Sequence, residues 1–89
     1  MTTDERLIIR LSNQERQSLD ELYDRYSQLL WKVSYRAVAD EAICEQIVRE
    51  VFQDIWMRPK DFNNGRKLST LLIECCRSKM NEILMQKSS

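Results

Sequence analysis

Histidine is absent from these 89 residues, and glycine and proline occur once each. Without histidine the commonest general base is missing, and one glycine cannot build a phosphate-cradling loop; the chain is not expected to be an enzyme. So few turn-formers suit a few long helices and argue against a sandwich or barrel. No apolar run approaches the roughly 18–20 residues that cross a bilayer. The N-terminus, Met-Thr-Thr-Asp-Glu-Arg, lacks the basic start and apolar stretch of a signal peptide. Cysteine is scarce and odd in number: Cys44 stands alone, while Cys75 and Cys76 are adjacent. Helix neighbours cannot easily bridge each other, so buried thiols in a reducing, cytoplasmic setting are expected rather than a disulfide framework. With no histidine and no C-x-x-C, neither a metal nor another cofactor is expected.

What is present describes an ordinary folded chain: 43% of residues are hydrophobic and 31% charged, too apolar for disorder. Its length makes one domain, residues 1–89, with no room for a second core. Net charge is zero but unevenly spread. Residues 1–56 carry 7 Lys and Arg against 11 Asp and Glu, and residues 57–89 carry 7 against 3. Such polarity can steer one end toward a basic protein and the other toward an anion such as nucleic acid.

Helical periodicity runs through most of the chain. Leu7, Ile8 and Leu11 make a short stripe from Asp4 to Leu11, interrupted by Ser12-Asn13-Gln14, whose polar side chains are candidates to cap the next helix. From Glu15, Leu19, Leu22, Tyr23, Tyr26, Leu29, Leu30, Val33 and Ala37 recur at helical spacing over about six turns. Asp40 is the expected N-cap of a third helix carrying Ile43, Cys44, Ile47, Val48, Val51, Phe52, Ile55 and Trp56. Pro59 ends it, and Arg58 to Lys67 reads as the one real loop. A last stripe, Leu68, Leu71, Leu72, Cys75, Cys76, Met80, Ile83 and Leu84, begins near Lys67, with Gln86 to Ser89 expected to fray. The fold class is therefore all-α, a compact bundle of one short and three long helices.

Carboxylate pairs one turn apart, Asp20/Asp24 and Glu50/Asp54, read as wet-face solubility features rather than catalytic groups. Partner binding is better supported. The third helix carries Glu41, Glu45, Glu50 and Asp54, punctuated by Arg49, on its less apolar side, as an acidic docking surface would. The loop and last helix mix cations with Trp56 and Phe62, a combination suited to single-stranded nucleic acid.

The order of these segments resembles region two of bacterial extracytoplasmic-function sigma factors. Leu19-Asp20-Glu21-Leu22-Tyr23-Asp24-Arg25-Tyr26 is similar to the family's F-x-x-L-Y-x-R-Y helix, and Ala42 to Trp56 to its A-E-D-x-x-Q-E-x-F-x-x-x-W stretch. Arg58-Pro59-Lys60-Asp61-Phe62 matches a common R-P-x-x-F loop entry, and Leu68 to Leu84 resembles the helix that follows. The likeness spans nearly the whole chain and ends where region two ends, so the −35-reading domain of a full sigma factor is expected to be absent.

The resemblance implies that the third helix grips a coiled coil of the beta-prime subunit of core RNA polymerase, through Glu45, Gln46, Arg49, Glu50 and Asp54. It also implies capture of the non-template single strand of the promoter −10 element by Phe62, Asn63, Asn64, Arg66, Lys67, Arg77, Ser78 and Lys79. An anti-sigma factor is a further implied partner, and no membrane is. The chain departs from the family pattern at Gln46, usually Asp, and Arg49, usually Gln, as well as at Leu71, usually Trp, and Ser78, usually Asn. A second interpretation of the same likeness is a sigma-like interaction module that binds an anti-sigma factor, a separate sigma subunit or itself, without melting DNA.

Overall fold

A computed structural model of the chain describes residues 3–62 and 65–87, the last two of these in backbone only. Four α-helices follow one another: α1 (Thr3–Ser12), α2 (Arg16–Val38), α3 (Glu41–Met57) and α4 (Leu68–Lys87). No strand occurs among the described residues, so the all-α bundle of one short and three long helices is the architecture.

Helix α2 is the spine. Its 23 residues, at about 1.5 Å each, set the long dimension of a body measuring 42 × 20 × 20 Å. Helices α1, α3 and α4 all pack on it, and α4 also packs on α3. The core is one cluster, with Leu22, Leu30, Ile47, Val51, Ile55, Leu72 and Cys76 fully buried at its centre. Leu7, Ile8 and Leu11 bring α1 into it. That attachment is reinforced by a hydrogen bond donated by Tyr26 to Asp4 and by an Arg10–Glu21 ion pair at 3.3 Å.

The junctions are specific. Asp40 caps α3, its Oδ1 accepting from the Ile43 amide at 3.2 Å, as its position before the apolar run implies. Neither Ser12 nor Asn13 nor Gln14 caps α2, contrary to expectation. The N-cap is Glu15, with no side-chain cap bond, because Gln14 turns through a positive φ of 64° and Ser12 bonds back to the Ile8 carbonyl. Helix α2 ends at Ala39, φ 53°, whose amide satisfies the Tyr35 carbonyl. The segment read as loop contains a 3-10 turn, Pro59–Phe62, in which proline's fixed φ fits the tight helix. Helix α4 runs through Lys87, so Gln86 and Lys87 are helical rather than frayed; Ser88 and Ser89 lie outside the described residues.

Candidate protein-docking groove

Because α2 and α3 are joined across only Ala39 and Asp40, they lie side by side and antiparallel. On α3 two faces diverge. Cys44, Ile47, Val51 and Ile55 enter the core. Asp54 faces α4, where its Oδ2 receives Lys79 Nζ at 2.9 Å and Arg58 at 3.4 Å, and the Cys75 thiol donates to it at 3.6 Å. On the side of α3 opposite Asp54, the α2–α3 pair leaves an open groove of about 710 Å³.

Aromatic side chains floor this groove. Tyr23 and Phe52 meet with their rings tilted at 53°, centroids 5.0 Å apart, and Trp31 and Trp56 line it with Leu19 and Val48. Tyr23 is 48% exposed despite its apolar ring. Arg16, Asp20, Glu45 and Arg49 form the charged rim, and all four are exposed and have no ion-pair partner among the described residues. Apolar floor with polar rim is the anatomy of a protein interface.

The expected polymerase-binding residues therefore divide. Glu45 and Arg49 line the groove and Gln46 is exposed on the same helix. Glu50 and Asp54 are half-buried and turn toward α4; their side of α3 is not the wet face the one-turn spacing suggested, because α4 covers it.

The expected DNA-binding residues divide too. Phe62 packs against the core and, with Arg66 and Lys67, lines a smaller cavity of about 370 Å³ beside α1. Arg66 forms a forked pair with Glu74, at 2.6 and 3.1 Å. Arg77 and Ser78 are exposed, about 15 Å further along α4 by helix rise. Lys79 faces α3, held by Asp54, whose hydrogen bond raises the Lys79 pKa above its ordinary value. Asn63 and Asn64 lie outside the described residues.

All three cysteines are free. Burial raises the pKa of each, carrying Cys75 to about 11 with help from the neighbouring Asp54 charge. These thiols are poor nucleophiles at neutral pH. Cys76 instead fills the core, 3.1 Å from the Ser34 hydroxyl.

Sequence reasoning missed the α2 wall of the groove. Its stripe of eight apolar positions is wider than one core face requires, and Trp31 falls off that stripe altogether; both are marks of a second apolar face. Comparison with known proteins finds no matching family, no similar curated protein and no similar solved structure. Among the described residues no helix is long and apolar enough to cross a membrane.

Proposed function

We propose that this chain is a sigma region-two-like docking module that binds core RNA polymerase by seating a beta-prime coiled-coil helix in the α2–α3 groove. One observation carries this: the aromatic floor is open, and Glu45, a residue the resemblance assigns to polymerase, stands exposed on its rim with no ion-pair partner among the described residues. A coiled-coil helix would lay apolar side chains on Tyr23, Phe52, Trp31 and Trp56 while its charges meet the rim.

A specific observation favours a second reading, an interaction module without strand capture. Two of the cations assigned to −10 DNA, Arg66 and Lys79, are already held by Glu74 and Asp54. Each contact withheld from phosphate lowers affinity and flattens its salt dependence.

The chain holds two tryptophans, and both line the groove. Intrinsic fluorescence therefore reports its occupancy during titration with a tryptophan-free beta-prime coiled-coil fragment. A saturable change with a dissociation constant of about 10 μM or tighter, weakened by Glu45→Ala, is the expected result. Binding weakened by Glu50→Ala alone would move the contact to the α4-facing edge of α3. No change would reject polymerase docking, and salt-dependent binding of −10 single strand would reject the second reading.

A further inference from the structure

We propose that Asp20, on the α2 wall of the groove, is a second acidic anchor for the partner helix, which is then held from both walls rather than by α3 alone. This rests on polymerase docking and adds to it a wall that the resemblance leaves unassigned. The Tyr23–Phe52 ring contact sets those two residues near the same level across the groove. Glu45 stands seven residues from Phe52, toward the turn that joins the helices, and Asp20 stands three residues from Tyr23, away from it. At about 1.5 Å per residue the two carboxylates are therefore about 15 Å apart along the groove, on opposite walls. Both are exposed, both border the aromatic floor, and neither has an ion-pair partner among the described residues.

A helix seated in a groove presents one flank to each wall and its apolar face to the floor. Cations on its two flanks, about ten residues apart at the same rise, reach Glu45 and Asp20 together while apolar residues between them cover Tyr23 and Phe52. Each wall also carries an arginine one turn farther out, Arg49 beyond Glu45 and Arg16 beyond Asp20. A cation placed opposite either arginine is repelled. The arginines thus penalise a helix slid one turn outward, and carboxylate and arginine together fix its register.

Titration of the full chain with the tryptophan-free beta-prime coiled-coil fragment, followed by intrinsic fluorescence, is the test. Asp20→Asn should raise the dissociation constant roughly two- to fivefold, the worth of one exposed ion pair, and Arg16→Gln, one turn away, should lower it. Opposite signs from two exposed positions on one helix do not arise from a damaged fold. The effects of Asp20→Asn and Glu45→Ala should multiply in the double variant, because sites this far apart act independently. Asp24→Asn removes the same charge from the same helix, at an exposed position outside the groove, and should leave the constant unchanged. If Glu45→Ala weakens binding and Asp20→Asn does not, α3 holds the helix alone: the second anchor is overturned and polymerase docking stands. Weaker binding by Arg16→Gln, or an Asp24→Asn effect equal to that of Asp20→Asn, would also overturn the anchor. No binding by the native chain would overturn the anchor and polymerase docking together.

Discussion

Removing the Asp54 carboxylate separates its two possible roles, partner contact and internal tie. Its side chain is only 20% exposed, as is that of Lys79 at 21%, and it gathers Lys79, Arg58 and the Cys75 thiol at one oxygen. Asp54→Ala leaves the Lys79 ammonium half-desolvated without its acceptor. Truncating a fully buried pair costs about 3–5 kcal/mol, and a surface pair costs under about 1 kcal/mol. A site this shielded falls between, at about 2 kcal/mol. For a chain of this length that lowers Tm by roughly 8–16 °C.

Lys79→Ala should cost less, because Asp54 keeps Arg58 at 3.4 Å. The double-mutant cycle, measured by urea unfolding, should return a coupling of about 1 kcal/mol. A Tm change under about 2 °C for Asp54→Ala, or a coupling indistinguishable from zero, would refute the tie between α3 and α4. Asp54→Asn adds the functional control. If it abolishes coiled-coil binding while Tm stays put, Asp54 is a partner contact after all.

Two further outcomes follow from burial. The Cys75 pKa is raised to about 11, so the folded chain holds its proton longer than the unfolded chain. That contribution is complete below the ordinary thiol value near 8.5–9, and is lost as pH climbs through about 11. Urea midpoints should fall above pH 9, and fall less in Cys75→Ala; equal falls would refute the assignment. The raised Lys79 pKa acts in the same direction at still higher pH, above the ordinary lysine value. Ser34 is fully buried where α2 meets α4, bonded to the Leu30 carbonyl and beside Cys76. Ser34→Leu should therefore destabilise by about 1–3 kcal/mol through overpacking, whereas Ser34→Ala should stay within about 1 kcal/mol; thermal unfolding of both variants decides.

Period-3.6 spacing made the four helices legible, and the stripes of α1, α3 and α4 match the core closely. Helix α2 was harder, because it buries on several sides. Two of its four buried positions are Ser18 and Ser34, small hydroxyls that no hydrophobic scale singles out. Tyr23 and Leu29, which fit the stripe, stay exposed. The Asp54–Lys79 tie was illegible for a related reason: a carboxylate's role depends on which helix covers it, and that is a tertiary fact.

Arg49 shows the same limit most sharply. On one helix, judged by the resemblance, it is a misplaced cation opposite a basic partner. On the groove rim it is exposed beside the aromatic floor, with no ion-pair partner among the described residues. Arg49→Gln should tighten coiled-coil binding several-fold, because a like charge is removed from the contact. Titration by tryptophan fluorescence measures this, and unchanged or weakened binding would leave the coiled coil without a claim on Arg49. Since Arg49 is exposed, neither result can be ascribed to a damaged core.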